Sequence, residues 1–203
     1  MNYRAVGNRC AVDLSSLALP LSEREALIKL KRLGFKTLEV DLVALARQCI
    51  KTSRYRRGAK ASEAPGVVDC SSFVKWLYGQ RGIWLPRRSI QQRELGESVT
   101  RDNVIAGDLV FVKGAIDWYN HDPRDGVGHV GIATGDGTIV HAADPEAGVV
   151  ETPFSRFVGE SKLRGIRRYI PVGIKVVTLE TPSNRGVETS DDVRWIVLQL
   201  LPR

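Results

Sequence analysis

Cysteine is scarce in this chain: three residues, Cys10, Cys49 and Cys70, in 203. An odd, sparse set cannot build a disulfide framework, and no pair has the C-x-x-C spacing of a redox or zinc motif, so the thiols read as free. Long apolar runs are missing as well. The longest, in the segment Trp195 to Leu201, falls far short of the roughly 20 residues that a membrane-spanning helix needs. The N-terminal stretch has no compact positive patch followed by an apolar core and a small-residue cleavage site. No secretory signal is read there, and the chain is expected to be cytoplasmic as encoded. Internal repeats and low-complexity segments are absent too. What remains is 43% hydrophobic and 26% charged, which excludes a disordered or collagen-like chain and fits one globular domain with short extensions.

The net charge is +7, and from Ser22 to Lys60 basic residues outnumber acidic ones by eleven to four. The whole excess therefore sits in the N-terminal third. Such a stretch can meet nucleic acid, an anionic surface or an acidic polymer, or it can be a solvated helix face.

Ser22 and Glu25 have capping-box spacing ahead of Leu27, Leu30 and Leu33, with Gly34 as the stop, which predicts a first helix. Asp41 caps a second over Leu42 to Ile50, and Cys49 falls on its apolar face as a small core residue. Lys51 to Val67, with Gly58, Pro65 and Gly66, reads as an irregular connection. Asp69 stands at the N-cap of a third helix, Cys70 to Arg81, buried on a wide face. Beyond Pro86 the pattern changes to short β-branched runs: Leu109 to Lys113, Val130 to Thr134, Thr138 to Ala142, Val149 to Glu151 and Gly165 to Ile170. Helices followed by strands predict an α+β fold, with N-terminal helices packed on an antiparallel sheet of five to six strands. Residues 172–203 carry a strand-like IKVV, a polar stretch and an apolar end, and read as an appendage of unknown role.

Histidine is as rare as cysteine: His121, His129 and His141. A reactive thiol needs a base beside it, and the base needs a third group to hold its ring. Cys70, at the first turn of a helix, is expected to have its pKa lowered by unpaired amides and the positive end of the helix dipole. His129 and His141 flank a hairpin. If Gly135, Asp136 and Gly137 form a three-residue loop, facing residue numbers sum to 272, His141 faces Gly131, and both imidazoles leave one face as diagonal neighbours. A two-residue loop would put them on opposite faces. From the residues alone, Cys70 is either this nucleophile or a small buried hydrophobe, and the histidines are either its partners or structural.

Val68-Asp69-Cys70-Ser71-Ser72-Phe73-Val74 resembles the Asp-Cys-Ser-Gly-Phe-Val signature of the NlpC-type cell-wall endopeptidases, a papain-like family of cysteine peptidases. Four further blocks resemble the family's in order. They are Leu85-Pro86-Arg87-Arg88-Ser89 with Gln91 or Gln92, Ala106-Gly107-Asp108-Leu109-Val110-Phe111, Gly128-His129-Val130-Gly131-Ile132, and Ile139-Val140-His141-Ala142. The resemblance covers about Val40 to Pro171. It implies a papain-like peptidase domain over 40–171, between an N-terminal helical extension (1–39) and a C-terminal extension (172–203).

By that resemblance Cys70 is the nucleophile, His129 the general base and His141 the residue that orients it, while Tyr55, Asp69, Ser71 and Ser89 contact substrate. For Asp69 a plain helix cap is the other reading, and both can hold. No metal or cofactor is implied. The reaction implied is hydrolysis of a peptidoglycan stem peptide at a γ-D-glutamyl linkage to a diamino acid, through a thioester. The basic N-terminal third would then face an anionic wall polymer, with nucleic acid the least favoured partner; oligomeric state is not legible. Ser72 replaces a glycine of the pattern and narrows the space near the nucleophile. Ala106 replaces a proline. Arg88 stands where relatives that need a free N-terminal amine carry an acid, which favours intact peptidoglycan over recycled muropeptides. Rival readings are another acyl transfer on the same scaffold, such as transpeptidation or deamidation, and a non-catalytic wall-binding domain. Trp118, Tyr119 and His121 fall in a long loop, where they either line a groove or pack the loop. With no leader read, action in the wall or periplasm would need another delivery route; the alternative is cytoplasmic recycling.

Overall fold

The computed structural model describes residues 2–114 and 126–202, so Trp118, Tyr119 and His121 lie outside the described residues. In chain order the first elements are β1 (Arg9–Asp13), α1 (Glu23–Arg32), β2 (Lys36–Leu38), α2 (Leu42–Gln48), β3 (Arg54–Tyr55), β4 (Val67–Val68) and α3 (Cys70–Gln80). Then come α4 (Ser89–Arg93), β5 (Glu97–Ser98), β6 (Leu109–Val112), β7 (His129–Ala133), β8 (Thr138–Asp144) and β9 (Gly148–Pro153). The chain closes with α5 (Phe154–Val158), β10 (Leu163–Arg168), β11 (Val176–Glu180) and α6 (Ser190–Leu198). Among the described residues no helix is long and apolar enough to cross a membrane.

The chain divides into two compact units. The first comprises Met1–Val40, Tyr78–Trp84 and Val172–Arg203. Its sheet is antiparallel in the order β1-β11-β2, with Val12 opposite Val177 and Cys10 opposite Leu179. Leu30 of α1 and Val193 and Val197 of α6 close the core with Val12, Val177 and Leu179. The Ser22–Glu25 capping box is present: the Ser22 amide donates to Glu25 Oε2 at 2.9 Å, and the Glu25 amide to Ser22 Oγ at 3.3 Å. The segments read as N-terminal and C-terminal extensions, 1–39 and 172–203, share this unit. The N-terminal segment contains two strands, and the central strand between them comes from the C-terminal segment. Each piece alone has apolar surface with nothing to cover it, and a strand whose partner lies at the far end of the chain leaves no local turn signal.

The second unit, Asp41–Leu77 and Leu85–Pro171, is the α+β body. Its six-stranded sheet runs β5-β10-β6-β7-β8-β9, antiparallel throughout. The middle strand β6 is buried along its length, as the continuous apolar run Leu109–Val112 requires. Just before it, Asp108 is 1% exposed and receives Arg168 Nε at 2.9 Å and Nη2 at 2.7 Å, a two-pronged pair that ties the start of β6 to the end of β10. The aspartate of the Ala106-Gly107-Asp108-Leu109 block is thus a structural anchor. The segment read as an irregular connection also contains a short parallel pair, with Arg54 opposite Val67 and Tyr55 opposite Val68.

The β7–β8 hairpin has the three-residue register. Ile132 faces Val140, Ala133 faces Ile139, and the Thr134 amide donates to the Thr138 carbonyl at 3.1 Å. Gly135 and Gly137 take φ of +85° and +76°, the left-handed region where glycine carries no Cβ penalty. Gly131 is required for a different reason. A Cβ there would lie 2.3 Å from Ile139 Cγ2 and 3.0 Å from His141 Cβ, so only a bare backbone fits beneath the second imidazole. Replacing Gly131 by Ala should therefore cost about 1 to 3 kcal/mol, typical of overpacking, measured by urea denaturation. An unchanged midpoint would show that the strands part without penalty.

Candidate active site

Cys70 opens α3, and its neighbours form the helix cap. Asp69 Oδ1 accepts from the Ser72 amide at 2.8 Å, and the Asp69 amide donates to Ser72 Oγ at the same distance. Ser72 is buried with its hydroxyl spent on this reciprocal cap, so it closes the helix start where the sequence suggested a narrowed cleft.

Asp69 does more than cap. It is buried, receives the Gly58 amide at 3.0 Å and Ser71 Oγ at 3.2 Å, and pairs with Arg87 through both guanidinium nitrogens, Nη1 at 3.1 Å. Burial by itself would raise its pKa; Arg87 and the Ser72 amide outweigh that and hold the carboxyl below its ordinary value. Ser71, also buried, is engaged on both sides, donating to Asp69 and accepting from Arg87 Nη1 at 2.8 Å. Arg87 also donates to the Ala59 carbonyl at 2.9 Å. Behind it, the fully buried Gln92 donates to the Ser71 and Pro86 carbonyls at 3.0 and 2.9 Å, whereas the Gln91 side chain accepts from the Arg88 amide at the start of α4. Gln92 is thus the interior glutamine of that block. Ser89 is the first residue of α4 and is half-buried.

On the sheet side, His129 Nε2 and His141 Nδ1 are 2.9 Å apart, with the rings nearly perpendicular at 86°. Phe157 of α5 packs on both rings, at 4.8 Å from the centroid of His141 and 5.5 Å from that of His129. His141 Nε2 lies 3.0 Å from Thr152 Oγ1. The Val130 amide, next in chain to His129, and the Ser71 amide both hydrogen-bond the sulfur of Cys70 in its ionised form. The start of α3 and the start of β7 therefore meet at this thiol. Tyr55 reaches the same place because the β3–β4 pair sets it beside Val68, two residues before Cys70. Burial raises its phenol pKa, and the Cys70 and Asp69 charges raise it further.

The electrostatics correct one expectation. Burial, then the Asp69 charge, push the Cys70 thiol up to about 11, against the opposing pull of the two amides and of Arg87. The helix terminus does not lower it, because desolvation of a thiolate in this crowded site costs more than the dipole returns. Burial pushes His129 down to about 3, with His141 adding to the shift, and His141 down to about 4, partly offset by Asp144. Burial thus favours the neutral form of the thiol and of both imidazoles. Cys10 and Cys49 are both buried, and burial raises both thiols. Among the described residues no group of three His, Cys, Asp or Glu side chains is placed to hold a metal ion.

The sequence reading passed over Arg87, Thr152 and Phe157. Arg87 stood inside a quoted block, but adjacent arginines carry no mark of which one turns inward. Thr152 and Phe157 have no motif and become visible only once β8, β9 and α5 are in place.

Among known proteins, the sequence pattern of the NlpC/P60 family matches residues 52–168. Gamma-DL-glutamyl hydrolase of Bacillus subtilis (strain 168) is 32% identical over 134 residues, 66% of this chain and 30% of that protein. Gamma-D-glutamyl-L-lysine dipeptidyl-peptidase of Bacillus cereus is 34% identical over 104 residues, 51% of this chain and 29% of that one. The chain thus spans less than a third of either relative. Murein DD-endopeptidase MepS/Murein LD-carboxypeptidase of Escherichia coli (strain K12) is 31% identical over 150 residues, 73% of this chain and 68% of that protein. A solved structure of an NlpC/P60 family protein from Bacillus cereus superposes with a TM-score of 0.54 at 26% identity, covering 67% of this chain and 42% of that one.

Two outcomes follow from the charges. Removing Arg87 by substitution with Ala should cost on the order of 2 kcal/mol at neutral pH, since it strands the buried Asp69 carboxylate. The difference from wild type should shrink as pH falls through the carboxylate range, beginning above the ordinary aspartate value because burial without Arg87 raises the Asp69 pKa in the variant, and ending as wild-type Asp69 is protonated through its lowered folded value, a trend that urea titrations at several pH values would show. Iodoacetamide should alkylate Cys70 faster than Cys10 or Cys49, because it alone of the three keeps part of its surface open to solvent. Its rate should climb about tenfold per pH unit between pH 7 and 9, as for a thiol still far from its pKa. A plateau already reached near pH 7 would reveal a standing thiolate and refute the neutral resting site.

Proposed function

This chain belongs to the NlpC/P60 family, and from that premise we propose that it is a cysteine peptidase acting on peptidoglycan stem peptides, with Cys70 as nucleophile, His129 as general base and His141 as the group that orients it. The observation that carries the reading is the 2.9 Å bond between His129 Nε2 and His141 Nδ1 on the sheet face whose next amide, Val130, meets the Cys70 sulfur. With Nε2 turned to His141, Nδ1 is the nitrogen left for the thiol.

Catalysis then starts from neutral partners. His129 Nδ1 takes the proton of Cys70 as sulfur attacks the scissile carbonyl carbon, so charge separates only when substrate is there to use it. The carbonyl becomes an oxyanion beside the first turn of α3, where the Cys70 amide is a donor; one such donor is worth roughly 3 to 4 kcal/mol. The carbon–nitrogen bond breaks, His129 returns its proton to the leaving amine, and a thioester remains. Water, deprotonated by His129, then attacks the thioester and regenerates the thiol.

Tyr55, half-buried beside Cys70 and Asp69, is positioned to hydrogen-bond the substrate or the oxyanion. Asp69 and Ser71 are tied into the Arg87 network and act as the floor of the site, and Ser89, the first residue of α4, is the fourth residue we assign to substrate contact. The linkage we favour is γ-D-glutamyl to a diamino acid, supported by the name of the Bacillus cereus relative, a gamma-D-glutamyl-L-lysine dipeptidyl-peptidase; the Bacillus subtilis relative is named for gamma-DL-glutamyl hydrolysis, and the Escherichia coli relative for DD and LD cleavage. The exposed Arg88 guanidinium would repel a free N-terminal amine, which favours intact peptidoglycan over recycled fragments. An anionic wall polymer suits the basic segment Ser22 to Lys60.

The test incubates wild type, Cys70→Ala, His129→Ala and His141→Ala with intact peptidoglycan and with free stem peptides, and identifies products by mass spectrometry. Wild type should release fragments with a new glutamyl carboxyl, and Cys70→Ala should release none. His129→Ala should lose about 10²- to 10⁴-fold in rate, and His141→Ala less, because it acts through the ring of His129. Absence of Cys70-dependent cleavage from both substrates would sink the peptidase reading.

A further inference from the structure

His129, His141 and Thr152 lie on three adjacent strands, β7, β8 and β9, and on one face of the sheet. In β8 and β9, His141 is opposite Val150 and Ile139 is opposite Thr152, so Thr152 is the diagonal neighbour of His141. His141 is in turn the diagonal neighbour of His129 across the Gly-Asp-Gly hairpin. Two hydrogen bonds run along this diagonal: His129 Nε2 to His141 Nδ1 at 2.9 Å, then His141 Nε2 to Thr152 Oγ1 at 3.0 Å. We propose that Thr152 is a positioning residue of this site, its hydroxyl accepting the Nε2 proton of His141 and thereby setting the tautomer of both imidazoles.

The argument follows the protons and rests on the reading of His129 as base. To take a proton on Nδ1, His129 must be unprotonated there, so its single hydrogen sits on Nε2. Nε2–H donates to His141 Nδ1, which must then be bare. The hydrogen of His141 is consequently on Nε2, where it needs an acceptor, and Thr152 Oγ1 is there at 3.0 Å. Imidazole in water has two tautomers of similar free energy, and only this one of His141 can accept from His129. When His129 becomes imidazolium, the same chain holds its Nε2–H. A buried His141 with no acceptor at Nε2 would instead keep the other tautomer part of the time and present an N–H to His129, which breaks the chain.

The remaining contacts of β9 separate this role from fold stability. Glu151, on the opposite face, receives Arg47 of α2 at 2.9 and 3.1 Å and Thr138 Oγ1 at 2.5 Å, and Arg47 also reaches Asp136 in the hairpin loop at 2.8 Å. That network holds β9 and the hairpin whether or not residue 152 carries a hydroxyl. Valine has the shape of threonine and suits a strand, so Thr152→Val removes the hydrogen bond and little else.

The experiment compares wild type, Thr152→Val, Thr152→Ser and Cys70→Ala. Steady-state kinetics on a cleaved stem peptide are measured alongside histidine ring ¹⁵N shifts, which distinguish Nδ1–H from Nε2–H. Thr152→Val should lower kcat about fivefold, the worth of one neutral hydrogen bond, with KM unchanged, and Thr152→Ser should recover most of it. The ring spectra should show His141 as Nε2–H in wild type and in Thr152→Ser, and as a tautomer mixture in Thr152→Val. Wild-type kcat in Thr152→Val, or an unaltered His141 tautomer, would overturn the proposal. If wild type shows no activity above Cys70→Ala, the peptidase reading is what fails, and the ring spectra still decide the role of Thr152.

Discussion

An odd-numbered loop, Gly135 to Gly137, sets the geometry of the histidine pair through parity. Side chains alternate faces along a strand, so a three-residue connection brings His129 and His141 out on the same side of the sheet, and one residue fewer would separate them by its thickness. The loop in turn depends on two glycines in left-handed conformation, and on Arg47 reaching from α2 to Asp136. Gly131 completes the arrangement by leaving the volume that the His141 side chain occupies. Register, then, is the constraint from which the geometry of the site descends.

The second constraint is dryness. Phe157 packs on the imidazoles, and Asp69 and Ser71 are buried at the start of α3, each hydrogen-bonded to Arg87. Removing water makes hydrogen bonds and charge pairs stronger, and it makes any unpaired charge expensive. This is why the thiol and the imidazoles rest neutral while Asp69, with Arg87 against it, stays ionised. The same carboxylate that caps α3 adds to the cost of a thiolate next to it, so helix stability and nucleophile activation pull in opposite directions at adjacent residues.

The first unit follows a different logic. Its three strands come from both ends of the chain, and its core is completed by one helix from each end. Of the basic excess between Ser22 and Lys60, the smaller part falls in this unit, before Val40, and the larger part beyond it. In α1 the cations Lys29, Lys31 and Arg32 occupy the last turn, where they also complement the negative end of the helix dipole. Surface charge of this kind serves the helix.

Local signals were legible wherever the physics is local. The Ser22–Glu25 box, the Asp69 cap and the Gly-Asp-Gly turn each act within a few residues, and each was readable along with the register it imposes on the histidine pair. The five main strands announced themselves by β-branched runs, with ends displaced by a residue or two. What no local pattern encodes is the company a side chain keeps after folding. Strand β1 finds β11 from the other end of the chain, Arg87 rather than Arg88 turns to Asp69, and Thr152 meets His141 across a strand boundary. The direction of the Cys70 pKa belongs to the same class. The sequence by itself determined the cap of the helix that Cys70 opens and the face on which His129 and His141 stand, because helix caps and strand parity are properties of neighbours in the chain. Only the tertiary structure decided their charge states and their outer partners, because desolvation depends on everything that packs around a group.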